Sequence, residues 1–408
     1  MNMAQCLICK APIQPFISFG RMPIANGFLR QEEFDKEFFF ELKAGYCEQC
    51  HMVQLTELVD PSMLFHENYA YFSSISVRMA SHFREFSDMV RTGYLHDRDP
   101  FVVEVGSNDG IMLCNFAEAG IRHLGIEPSA NVAQAAIARG VNTTVRFFSE
   151  EAGKELRREH GPADAFLGAN VICHLPDIHS IILGVKALLK EEGVFIFEEP
   201  YLGDIIEKTS YDQIYDEHVF YFSLHSLNNM FARYDMEIIN ALPQDVHGGS
   251  MRYVVARRGV KDIKPEVSRL LAREEGIGLT KPEIYRIFCE HVYQSRDLLM
   301  RLLNDLRGSG KHIAGYGATS KSTTVTNFCG ITPDLLDYIS DTTPGKQGKY
   351  SPGVHIPIVP YERFKEGYPE YALLFAWNHA GEIMEKELEF KQRGGKFILY
   401  VPTVRVVE

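Results

Sequence analysis

Between Phe101 and Pro200 short apolar runs alternate with longer segments in which apolar residues recur every three or four positions. "FVVEV", "RHLGIEP", "ADAFLGAN" and "VFIFEEP" are brief and almost wholly apolar, as buried strands are. "IMLCNFAEAG", "ANVAQAAIARG" and "PDIHSIILGVKALLKEEG" carry the helical period. Such alternation predicts a parallel sheet with helices on both faces. Upstream, "SVRMASHFREFSDMV" has helical spacing. Downstream, the charged "RRGVKDIKPEVSRLLAREEG" and a long helical pattern over 281–306 lead into a second alternation: "KHIAGYGA", "KSTTVTNFCG", "LLDYISD", "YALLFAW", "NHAGEIMEKELEFKQRG", "KFILYVP". The expected architecture is α/β: a small N-terminal module over 1–66, a doubly wound Rossmann-like domain over 67–258 and a second Rossmann-like α/β domain over 259–408.

A chain of 408 residues is long for one core, which agrees with this division. Its net charge of −12 disfavours nucleic acid as a partner, and any anionic ligand must be met by a local cluster of donors. No basic-then-apolar start and no run near ~18 apolar residues is present, so a cytoplasmic protein without a membrane segment is expected. No protein partner is evident. In a reducing compartment the eight cysteines should not pair as disulfides. Two CxxC knuckles, Cys6/Cys9 and Cys47/Cys50, then suit a closed structural Zn²⁺ site.

"VEVGSNDG" leaves a strand and enters a helix. Gly106 and Gly110 allow a tight turn and a close approach of backbone to ligand, across Ser107, Asn108 and Asp109. Glu127 in "LGIEPS", followed by Pro128 and Ser129, stands where an acid accepts ribose hydroxyls. The third glycine of a dinucleotide fingerprint is missing, and a carboxylate at Glu104 suits an amino-acid moiety better than a pyrophosphate. The ligand expected is S-adenosylmethionine, with Asn170 in "GANVICHLPD" near its methionine part. "AGYGATSKSTT" is a second glycine turn between strand and helix. Its amides, with Tyr316, Ser320 and Lys321, are suited to phosphate oxygens, as are Asn378 and His379 in "WNHAG"; the alternative is a degenerate fold used for support. "VHGGSMR", ending at Arg252, reads equally as a turn at a site or as a hairpin bend. "IYDEHVFYF" alone is compatible with a core histidine beside a capping Asp216, or with an acid–base site in a dry pocket.

Together, "CLIC…CEQC", "VEVGSNDG", "NVICHLPD", "YDEHVFYFSLHSL", "HGGSMR" and "GYGATSK" resemble the zinc-module-containing, S-adenosylmethionine-dependent sugar C-methyltransferases of antibiotic biosynthesis, along essentially the whole chain. Within them the likeness is to the type that methylates carbon 3′ of a TDP-linked 3-amino-4-keto deoxysugar on the route to tetronitrose. The resemblance implies that Tyr69, His174, Tyr215, Glu217 and His218 line the reaction site, with His218 the favoured base. Methylation at carbon needs such a base, because the C–H beside a ketone is only weakly acidic. A TDP-sugar is then the ligand of the second glycine turn. N- or O-methylation of the same sugar, or a non-catalytic scaffold, are the alternatives.

Overall fold

The computed structural model describes residues 4–64 and 77–408. Three sheets organise the chain. The N-terminal sheet has the order Gln14–Pro23, Phe39–Tyr46, Val53–Leu55, Phe220–Tyr221, so its fourth strand comes from far down the chain. Val53 and Gln54 pair with Tyr221 and Phe220, which stitches the "YDEHVFYF" run into the cysteine module.

The central sheet has seven strands, in the order Met236–Gln244, Ser250–Arg257, Leu189–Pro200, Ala163–Ala169, Phe101–Val105, Arg122–Ile126, Thr143–Thr144. The last five are parallel. Every residue of Phe101–Val105 is buried, as expected for a strand covered on both faces. The first two form an antiparallel hairpin added at one edge of the parallel sheet, and its bend falls on "VHGGSMR", for which a hairpin turn was one of the two expected readings. The helix expected over 176–193 stops at Leu188, and Leu189 already pairs with Ala163. Gly193 makes the crowded entry possible, since a Cβ there would lie 2.9 Å from the Ala163 carbonyl oxygen.

The third sheet runs Ile358–Pro360, Ile339–Asp341, Ile313–Tyr316, Tyr371–Leu374, Lys396–Leu399, Arg405–Val407, parallel except for the last strand. In the chain, the helices Pro265–Ile277 and Pro282–Gly308 come between the central sheet's last strand and this sheet's first, each with proline in its first turn. Helices in both α/β units begin on side-chain caps: Asp177 accepts from the Ser180 amide and Thr319 from the Ser322 amide.

Both sheets reverse their strand order at one point, between Phe101–Val105 and Ala163–Ala169 in the first and between Ile313–Tyr316 and Tyr371–Leu374 in the second. Ligands of open α/β sheets bind beyond the carboxyl ends of strands at such reversals. Here both reversals border one cleft of about 900 Å³. No described helix is long and apolar enough to cross a membrane.

Candidate active site

The cleft is lined from all three units: Asn26 and Phe28 from the first, Gly106, Glu127 and Asn170 from the second, Lys321, Lys346 and Asn378 from the third. At its central-sheet end Gly106 adopts φ +63°, and a Cβ there would fall 2.6 Å from Val171 Cγ2. Only glycine fits. Glu127 accepts from the amides of Asn108 (3.0 Å) and Ser129 (2.8 Å), which leaves its remaining lone pairs for a ligand in the cleft. Glu104 is buried, and its Oε2 has no hydrogen-bond partner among the described residues. Burial, and then the nearby Glu127 and Asp109, push its carboxyl well above the usual range. Glu104 itself does not line the cleft; it lies behind Val105 and Gly106, which do. Ser107, Asp109 and Ser129 are buried behind this surface.

At the centre, His218 Nδ1 lies 2.8 Å from the Gln213 carbonyl oxygen, which can only accept. The ring therefore carries its proton on Nδ1, and its Nε2 lone pair accepts from the Tyr215 hydroxyl at 2.7 Å. His174 stacks against His218 with ring centroids 5.2 Å apart. Burial, reinforced by His174, holds His218 well below its ordinary pKa; burial alone takes His174 down to about 4. Both rings are neutral at pH 7. The Cys173 sulfur is close to a nitrogen of each, but both His218 nitrogens are already engaged in hydrogen bonds. Asp216 accepts from the Ala25 amide, and Glu217 accepts from Asn26 Nδ2 at 2.6 Å.

At the third end, Tyr316, Ser320, Lys321, Asn378 and His379 all line the cleft. Lys346, Lys349 and Lys386 join Lys321 there, so a chain of net negative charge gathers four ammonium groups around one volume. Burial lowers the pKa of Lys321, opposed by Asp212. Asp212 itself accepts from Trp377 Nε1 and the Tyr400 hydroxyl, each at 2.6 Å.

Of the residues expected to bind substrate, Arg252 is the one that the structure places away from the cleft. It lies opposite Glu198 on the neighbouring strand and binds that carboxylate through Nε (2.9 Å) and Nη2 (2.8 Å), over the ring of Phe86. Its charge is satisfied inside the sheet. Tyr69 lies outside the described residues. Asn26, Phe28 and Lys346 are cleft residues that sequence pattern did not single out, and so is Phe147, an exposed aromatic ring beside Glu127's end of the cleft.

The two CxxC knuckles have the same geometry. Lys10 and His51 follow them with φ of +65° and +63°, and their amides donate to the carbonyls of Cys6 and Cys47 at 2.9 and 2.8 Å. The four sulfurs lie within 4.8 Å of one another, with Cys6–Cys50 at 3.5 Å and Cys9–Cys47 at 3.4 Å. A tetrahedral ion with bonds of ~2.3 Å needs sulfur–sulfur edges near ~3.8 Å, so the set fits zinc.

Three family models match the chain in order: a "Putative zinc binding domain" over residues 6–65, a "Methyltransferase domain" over 79–241 and a "C-methyltransferase C-terminal domain" over 245–402. The C-methyltransferase NovU of Streptomyces niveus is 37% identical over 395 residues, 96% of this chain and 93% of that protein. The chain belongs to this C-methyltransferase family. Its methyl donor is S-adenosylmethionine, and the four-cysteine cluster is its zinc site. Solved structures match a smaller part. A magnesium protoporphyrin IX methyltransferase from Synechocystis is 13% identical with a TM-score of 0.35, covering 44% of this chain and 83% of its own. The CcbJ methyltransferase of Streptomyces caelestis is 12% identical with a TM-score of 0.34, covering 43% and 90%. Neither likeness bears on the site.

Proposed function

We propose that this C-methyltransferase acts in deoxysugar biosynthesis and methylates carbon 3 of a TDP-linked 3-amino-4-keto deoxysugar, with His218 as the base. The observation that carries this reading is the fixed tautomer of His218: a neutral imidazole, its Nε2 lone pair turned toward Tyr215, between the cofactor turn and the cluster of lysines. In it, Glu127 holds the cofactor's ribose, while Lys321, Ser320, Asn378 and His379 hold the diphosphate. When bound, S-adenosylmethionine supplies an electrophilic methyl group on a sulfonium.

The work of the chain is to make the carbon nucleophilic. Tyr215 turns its hydroxyl from Nε2 toward the ketone, and Nε2 takes the hydrogen from the adjacent carbon. The C–H electron pair becomes the enolate double bond, and the carbonyl pair moves to oxygen. The imidazolium and the enolate arise together, so the net charge of the dry pocket does not change, and their attraction is strong where water is excluded. Val219, Phe220 and Phe222, which follow His218 in the chain, are buried in the hydrophobic core behind the cleft.

The test is exchange of the carbon-3 hydrogen in D₂O, with a TDP-linked 3-amino-4-keto deoxyhexose and no methyl donor. Wild-type enzyme should exchange it, and His218→Ala should lose both exchange and turnover by ~10²–10⁴-fold while binding S-adenosylmethionine as before. A product methylated on nitrogen or oxygen, with no exchange, would overturn the reading.

A further inference from the structure

The turn between the antiparallel strands Met236–Gln244 and Ser250–Arg257 belongs to no part of the chemistry described so far, yet it is fastened from three sides. Arg78 Nη2 donates to the Asp245 carbonyl at 2.8 Å, and Lys208 Nζ donates to the Gly248 carbonyl at 2.6 Å. Gly248 packs so tightly on the Trp377 ring that a Cβ would come within 2.2 Å of it. Gly248 and Gly249 take φ of +88° and +127°, which glycine does at no steric cost. His247, immediately before them, also sits in the left-handed region at φ +54°. L side chains adopt that conformation rarely, and such residues cluster where a side chain must be aimed.

The aim is into the cleft. His247 lines the same cavity as His218 and Lys321, and its Nε2 is buried with no hydrogen-bond partner among the described residues. Burial, then Lys321, brings its pKa down to about 3, so the ring is neutral at pH 7. His218 in turn feels both Lys321 and His247, which places the three groups around one volume. A neutral imidazole with an unengaged nitrogen beside an ammonium group suits an oxygen on which negative charge develops.

Resting on the enolate reading above, we infer that His247 is a catalytic residue whose Nε2–H donates to the substrate's carbonyl oxygen and holds it as it becomes the enolate oxygen. The carbon-bound hydrogen passes to His218 as a proton, its electron pair forms the carbon–carbon double bond, and the charge rests on the oxygen against His247. Once the enolate carbon has spent its electron pair on the new bond, the carbonyl returns and the hydrogen bond from His247 weakens.

His247→Gly and His247→Asn test this, since both residues suit a left-handed backbone and both variants should fold. Each is assayed for carbon-3 exchange in D₂O with the TDP-linked 3-amino-4-keto deoxyhexose, for turnover, for thermal midpoint and for S-adenosylmethionine affinity. His247→Gly should keep or raise the thermal midpoint and keep cofactor affinity, while exchange and turnover both fall by ~10²–10³-fold. His247→Asn, which retains an amide donor, should recover part of that loss. Exchange at the wild-type rate in both variants would overturn the assignment of His247 alone. Absence of exchange in the wild-type enzyme would remove the enolate, and the oxygen donor with it.

Discussion

Asn26 Nδ2 donates to Glu217 Oε1 at 2.6 Å, across 191 residues of chain. One residue earlier, the Ala25 amide donates to both oxygens of Asp216. The segment after the first strand of the cysteine module thus grips the acidic pair next to His218. The zinc module is therefore part of the cleft's wall.

Asn26→Ala should show this without unfolding the protein. Glu217 would lose the hydrogen bond that lowers its pKa, and burial would push its carboxyl higher still. The carboxylate form would then require a higher pH. If Glu217 is the carboxylate that holds the substrate's amino group, turnover should fall about tenfold near neutrality, an order set by the ~1.5 kcal/mol of one charge-assisted hydrogen bond. The acidic limb of the pH–rate profile should move to higher pH, with cofactor affinity unchanged.

Cys6→Ser should deplete zinc and also reach the chemistry. The strand Phe220–Tyr221, just past His218, pairs with Val53–Leu55 of the module that the ion holds together. Metal content by mass spectrometry, thermal midpoint and turnover should fall together. Full turnover in a zinc-free protein would show the cluster to be dispensable.

Arg252→Leu should destabilise rather than weaken substrate binding. Glu198 is wholly buried, and among the described residues its carboxylate would retain only His82, at 2.7 Å. Removing one partner of a buried ion pair costs ~3–5 kcal/mol. Denaturant unfolding should show a loss of that order, and the KM for the sugar nucleotide should barely change in the folded fraction.

Lys321→Ala should raise KM for the TDP-sugar at least about tenfold, the order of one charge-assisted contact, and weaken inhibition by TDP. S-adenosylmethionine affinity should be unaffected. Equal losses for both ligands would remove Lys321 from the diphosphate.

Glu199 carries a stability signature in pH. Its Oε1 accepts from the amides of Val171 and Ile172, and burial pushes its carboxyl from 4.5 up to about 7. Between those values the folded state binds more protons than the unfolded, so stability falls as pH rises, by roughly 3 kcal/mol at ~1.4 kcal/mol per unit. His174, drawn down to about 4 by burial, acts in the opposite sense: its contribution grows as pH rises from about 4 to 6.5. Glu199→Gln keeps an acceptor for the two amides and cannot ionise. It should match the wild type near pH 4.5, exceed it by about 2–3 kcal/mol near pH 8, and show stability rising with pH between the two.

What the sequence determined by itself were the features written within about ten residues. The knuckles Cys6–Cys9 and Cys47–Cys50 and the turns at Gly106 and Gly317 are of this kind, because spacing and glycine alone dictate local backbone geometry. So is the strand–helix alternation, which burial imposes on each segment independently. Tertiary structure alone decided that Phe220–Tyr221 completes the cysteine module's sheet, that Asn26 meets Glu217, that Arg252 turns inward to Glu198, and that His247 faces the cleft. Each of these depends on strand pairing or packing between segments far apart in the chain. Periodicity records which face of a segment is buried; the partner that buries it is set only when the whole chain has folded.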